Sequence, residues 1–161
     1  MASGCCSLAD GPGEPEQAGV ADMAHKQLAR KAAASVRLKR VYAGPSADDG
    51  TRILVDRLWP RGLAKDKAKI DFWLKDIAPS DALRRRVHAK ATAWEEFMVD
   101  YGQELAQEPA ASAAKDLIER IRREPVTLLY AARDETRNNA VVLKKWLQAK
   151  LQTRHKKAAK R

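Results

Sequence analysis

The residues best equipped for chemistry follow two apolar runs, in "ILVDRLWPRG" (Ile53 to Gly62) and "VTLLYAARDE" (Val126 to Glu135). Arg57, Arg61 and Arg133 each carry a planar guanidinium that can grip a carboxylate or phosphate at two points. Asp56 or Asp134 can orient an arginine, or accept a proton from a ligand. Trp59 offers a flat apolar wall. Pro60 stiffens the turn that presents Arg61, and Gly62 frees it. This set suits a planar or phosphorylated anion. The same charges have a plainer reading, in which Asp56, Arg57, Arg133 and Asp134 form an ion-pair cluster locking two strands; breaking such a pair, if buried, costs ~3–5 kcal/mol. Spacing alone leaves both readings open, and Trp59 reads more readily as core than as a ligand platform.

The elements around these residues explain why they should meet. Ile53 to Val55 and "VTLLYAA" are apolar at consecutive positions, as in strands covered on both faces. "VRLKRVYA", residues 36–43, alternates and reads as a half-exposed strand. Ser80 is a good N-cap for a short helix through Leu83 and Val87, and Thr92 with Glu95 makes a capping box. Trp94, Phe97, Met98, Tyr101 and Leu105 then share one helical face. Further helices are expected from about Ser112 to Arg123 and from about Asn138, the latter burying Val142, Leu143, Trp146 and Leu147. Apolar strands separated by helices argue for a small three-layer α/β domain with a mainly parallel sheet and flanking helices. In such sheets ligands bind beyond the carboxyl ends of the strands, which is where the two charged stretches emerge. The opening of the last helix would point free N–H groups at the same rim.

Composition bounds the alternatives. The 161 residues suffice for one domain, with 45% apolar and 32% charged. No apolar run reaches eighteen residues and no signal-peptide pattern opens the chain, so a cytoplasmic protein with no membrane contact is expected. Cys5 and Cys6, the only cysteines, are adjacent, which excludes a structural disulfide framework and makes no zinc site. No P-loop, GxGxxG after a strand, GxSxG, HExxH or paired CxxC is present, so no metal and no cofactor is expected. His88 reads as solvated and Ser80 as a cap. Of the net charge of +10, residues 1–35 contribute −1, the middle +6 and "TRHKKAAKR" +5. Residues 1–35 are therefore expected to be a disordered extension, 36–152 the α/β domain, and 153–161 a basic disordered tail. Met23 is a plausible alternative translation start.

At "DGTRILVDRLWPRGL", "DFWLKDIAPS", "LRRRVH" and "VTLLYAARDETRNNAVVLKKWL" the chain resembles the YeaO-like branch of domain-of-unknown-function family 488, a group of bacterial proteins. The blocks span nearly all of residues 38–148. The resemblance implies a compact α/β fold and singles out Asp49, Gly50, Arg52, Asp56, Arg57, Trp59, Pro60, Arg61 and Gly62. It also points to Trp73, Lys75, Pro79, Ser80, Tyr130, Ala132 and Asn138. Relatives commonly have Asn-His where this chain has Asn138-Asn139, and an asparagine cannot shuttle protons near neutral pH.

Three functions follow as expectations. The first is a binding or catalytic domain for an anionic, nucleotide-like small molecule, with Arg57, Arg61 and Arg133 on the anion and Trp59 as a wall. Asp56, Tyr130 and Asn138 are its candidate catalytic groups. The second is a nucleic-acid-binding or regulatory protein acting through its basic surface and tail, the tail binding non-specifically, although no helix-turn-helix pattern is seen. The third is a non-catalytic interaction domain.

Overall fold

The computed structural model describes residues 35–89 and 93–158, with side chains through residue 153. All but the last residue of the expected N-terminal extension, and Thr92, lie outside the described residues. Strands β1 (Val36–Arg40), β2 (Thr51–Leu54), β3 (Phe72–Trp73) and β4 (Val126–Tyr130) form one sheet in the order β1-β4-β2-β3. Every pairing is parallel. Five helices flank it: α1 (Lys65–Ala68), α2 (Asp81–His88), α3 (Trp94–Glu104), α4 (Ala110–Arg123) and α5 (Asn139–Ala158). This is the small α/β domain that the apolar runs imply.

The two continuous apolar runs become the two central strands, because only a strand with neighbours on both sides and layers on both faces dries every position. All five residues of β4 are buried, as are the last three of β2. Alternation then divides them. Ile53, Val55, Val126 and Leu128 face a large core with Leu83, Phe97, Tyr101, Leu117, Ile121, Leu143 and Leu147 of the helices. Leu54 and Leu129 face the opposite side, where Trp59, Leu63, Ile70 and Trp73 form a thinner layer. Each fully buried leucine contributes roughly 1.5–3 kcal/mol.

The helix ends match their local chemistry. Ser80 Oγ accepts the Leu83 N–H at 3.1 Å and caps α2. Helix α3 starts at Trp94 after Ala93, with no side-chain cap among the described residues. Its Tyr101, fully buried, donates its hydroxyl to Ile77 O at 2.7 Å, and burial pushes that phenol's pKa well up. Helix α5 runs on to Ala158, past Gln152 where the sequence reading ended the domain. Strand β1 stops at Arg40, three residues before its alternating pattern does: Val41 still donates its N–H to Tyr130 O at 2.9 Å, and a turn closed by the Ala43 N–H on Arg40 O at 3.0 Å then ends the strand.

A buried polar knot holds the amino end of the sheet. Lys39 Nζ reaches both Asp49 carboxylate oxygens at 3.0 Å, and the Arg52 guanidinium pairs with Asp49. Arg52 Nε also donates to Lys69 O at 2.8 Å. Burial works against charge on Asp49, but the Ser46 N–H, Lys39, Arg52 and the Ser46 hydroxyl together bring its pKa down to about 2. Gly50 between them has φ 61°, and a Cβ there would sit 2.2 Å from the Pro125 carbonyl oxygen. Asp49, Gly50 and Arg52 are therefore scaffold, at the opposite end of β2 from the charged rim.

Candidate functional site

Strands β2 and β4 end side by side. Leu54 pairs with Leu129, and Val55 N–H donates to Leu129 O at 3.1 Å. The chain then leaves the sheet at Asp56 on one side and Ala131 on the other. The Asp56 carboxylate joins the two exits: Oδ2 accepts the Ala131 N–H at 2.7 Å, and Oδ1 accepts from Asn139 Nδ2 at 3.1 Å. The same amide nitrogen donates to Val55 O at 3.0 Å. Burial raises the Asp56 pKa above the usual carboxylate value, while the Ala131 N–H and the Asn139 amide pull it back. One carboxylate thus fastens β2, β4 and the start of α5 together.

The turn after Asp56 is built on indoles. Trp59 packs edge-to-face on Trp73 with ring centroids 5.2 Å apart, and its Nε1 donates to Leu63 O at 2.7 Å. Trp73 Nε1 donates to Asp56 O at 2.7 Å. Gly62, at φ 73°, closes the turn, and nothing lies near enough to meet a Cβ there. Across the rim, Asp134 Oδ1 accepts from the Thr136 N–H and hydroxyl and from the Arg137 N–H. The Arg137 N–H, the Thr136 hydroxyl and the Thr136 N–H lower its pKa. Asn138 caps α5, with Oδ1 accepting the Val141 N–H at 3.0 Å and Nδ2 donating to Asp134 O at 2.9 Å.

Between these strand ends and α2 lies a cleft of about 410 Å³, within the range of small-molecule sites. Apolar side chains form much of it, among them Trp59, Pro60, Pro79, Val87 and Phe97. Asp56, Asn138 and Asn139 line it at the strand and helix ends, and Arg57, Arg61, Arg84 and Arg137 also line it. Arg57 Nε lies 3.6 Å from one Asp81 oxygen and Arg84 Nη2 lies 3.3 Å from the other, so one exposed carboxylate serves two arginines. Arg61 and Arg137 have no salt-bridge partner among the described residues. Positive charge exceeds negative at this cleft.

The structure gathers Asp56, Arg57, Trp59, Arg61 and Asn138 of the expected set around one cleft. Trp59 does both jobs considered for it, packing on Trp73 while lining the cleft. Arg133 is exposed and is not among the lining residues, because Ala131 and Ala132 occupy the positions that face the cleft just beyond β4. Tyr130 is buried and lines a neighbouring groove with Arg40. The ion-pair lock is not formed: Asp56 is held by amides, Asp134 by its own turn, and Arg57 by Asp81. Arg84, Arg137, Asn139 and His88 line the cleft without having been proposed for it. The Asp-x-Thr-Arg-Asn spacing, an aspartate turn running into an asparagine cap, is the signal that would have exposed Arg137.

Fold and site together define a small parallel α/β domain with a ligand-sized cleft at the carboxyl ends of its central strands. The family model described as the inactive DUF488-N3 subclade matches residues 35–161, and the chain belongs to this YeaO-like DUF488 family. It is similar to "Uncharacterized protein YeaO" of Escherichia coli K12, at 42% identity over 115 residues covering 71% of this chain and 98% of YeaO. It is also similar to "Uncharacterized protein Rv3073c" of Mycobacterium tuberculosis H37Rv, at 41% identity over 108 residues covering 67% and 89%. No solved structure matches the chain significantly.

Proposed function

We propose that this domain binds an anionic small molecule with a flat apolar body, nucleotide-like in outline, and holds it without transforming it. The observation that carries the reading is that Arg61 and Arg137 both line the cleft and neither forms a salt bridge among the described residues, Asp134 feeling the Arg137 charge without pairing to it. An anion set between them gains charge-assisted hydrogen bonds beside an apolar wall, and each such bond contributes about 1.5–3 kcal/mol. Each Asp56 oxygen accepts one bond, from Ala131 or Asn139, which fixes the carboxylate and leaves a second lone pair on each oxygen for a donor on the ligand. Binding without turnover is supported by Asn139, which cannot exchange a proton near neutral pH, beside the half-buried Asp56 carboxylate. The description of the matching subclade as inactive supports it too.

The test is calorimetric titration of the wild-type chain with nucleoside phosphates and phosphorylated sugars, repeated with Arg61→Leu and Arg137→Leu. At least one compound should bind with a stoichiometry of one, and each substitution should weaken it at least tenfold without moving the melting temperature. Equal affinity in all three proteins would reject the cleft. Chemical conversion of the bound compound during long incubation would reject the non-catalytic reading alone.

A further inference from the structure

Three adjacent strands, not two, deliver side chains to this rim of the sheet. Arg40 and Tyr130, the last residues of β1 and β4, are partners in register. Beside them lies a second groove of about 480 Å³, lined by Lys39, Arg40, Tyr42, Tyr130 and Glu135. Arg40 lines this groove and has no salt-bridge partner among the described residues; its Nε is buried without a hydrogen-bond partner, so an anion in the groove would meet the outer guanidinium nitrogens. Lys39 is already committed to Asp49. The partition between groove and cleft is Tyr42, which lines both and is 47% exposed. Its ring lies 5.6 Å from the Arg40 guanidinium carbon, and its hydroxyl donates to Arg61 O at 3.1 Å.

From this geometry we propose that the groove at Arg40 is a second oxyanion subsite, so that the ligand of this rim carries two acidic groups, one on each side of the Tyr42 ring. Strands lie about 4.8 Å apart, which places the ends of β1 and β2, with β4 between them, roughly 10 Å from each other. A bisphosphate of sugar size spans that distance. Tyr42 would then lie against the middle of the ligand, with Arg40 on one flank and Arg61 on the other. Glu135 borders the groove and opposes an anion there. Burial and the Glu135 charge push the Tyr130 phenol up while Arg40 pulls it down, so both charges act on the same space. The subsite stands by itself; the two-headed ligand rests also on the reading of the main cleft.

Titrating the 15N-labelled full chain with inorganic phosphate tests the subsite. Backbone amides at 40–43, 130 and 135 should shift as one group, and those at 56–59, 61, 62 and 137–139 as another with its own saturation. Arg40→Leu should weaken the first response at least tenfold and spare the second, and Arg61→Leu should do the reverse. Glu135→Gln, at an exposed position, should tighten the first response. Silence of the first group, or a response indifferent to both Arg40→Leu and Glu135→Gln, overturns the subsite; silence of the second group alone overturns the main cleft instead. Fructose 1,6-bisphosphate should bind at least tenfold tighter than fructose 6-phosphate, with the advantage lost in Arg40→Leu. Equal affinities would reject the two-headed ligand.

Discussion

Asp56 and Asp49 are two buried or half-buried carboxylates on one short segment, and their surroundings push them in opposite directions. At Asp49 two cations and the Ser46 N–H and hydroxyl outweigh burial and bring the pKa to about 2. A carboxylate depressed on folding stabilises the native state above its unfolded pKa, and this contribution is lost as pH falls through the folded value. The Asp49 knot should therefore weaken as pH drops from about 4 toward 2, by about 2 kcal/mol, measured by urea unfolding at a series of pH values. Arg52→Met should cost about 3 kcal/mol at neutral pH, since it removes the buried cation of the pair and leaves the Asp49 carboxylate with the part-exposed Lys39 alone. Asp56 follows the other sign. Its raised pKa favours the native state at low pH, and that advantage disappears as pH rises through the folded value. Asn139→Ala removes one of the two bonds that lower it, so the Asp56 midpoint followed by 13C NMR should rise further. A midpoint that falls would mean that Asn139 does not stabilise the charged form.

At the level of elements, the glycines on either side of β2 allow a matched comparison. Gly50 and Gly62 both have positive φ, but only Gly50 packs against backbone. Gly50→Ala drives a Cβ into the Pro125 carbonyl and should cost several kcal/mol, enough to lower the melting temperature by ten degrees or more. Gly62→Ala meets open space and should cost only about 1–2 kcal/mol of backbone strain. The elements readable from sequence were those whose burial is continuous: β2, β4, and the apolar faces of α3 to α5. Ser80 was legible as a cap because its side-chain bond is local. Strand β3 and helix α1 were not legible, since two and four residues carry no period. Phe72 and Trp73 form a strand only because the edge of β2 is there to pair with. Arg84 was hidden for a similar reason: it reaches the cleft through the placement of α2, which is a tertiary fact.

For the molecule as a whole, the charge has two separate locations. The strand-end rim is one, and the run of five bases after Gln152 is the other. No helix among the described residues is long and apolar enough to cross a membrane. If the basic run binds duplex DNA, deleting residues 153–161 should make the slope of log affinity against log salt shallower by roughly 4 to 5. The same deletion should leave small-anion binding at the cleft unchanged, because every residue lining the cleft lies between Tyr42 and Asn139. Base-selective DNA binding that survived the deletion would move the nucleic-acid role to the folded domain. The pairing of β2 with β4, and with it the location of the cleft, was legible in the sequence, because two strands dried on both faces belong in the middle of a parallel sheet. The arginines that share the cleft were less so: Arg57 and Arg61 follow β2 directly, but Arg133 lies two alanines too far along and Arg137 takes the place expected for it.

The most direct test of the central claim is a crystal soaked in selenate and read by anomalous scattering. A strong site within hydrogen-bond distance of Arg61 and Arg137, beside Trp59, is the expected result, whether or not a second ion settles in the groove at Arg40. Selenate only on the outer face of α2 or along α5, with the cleft empty, would contradict it.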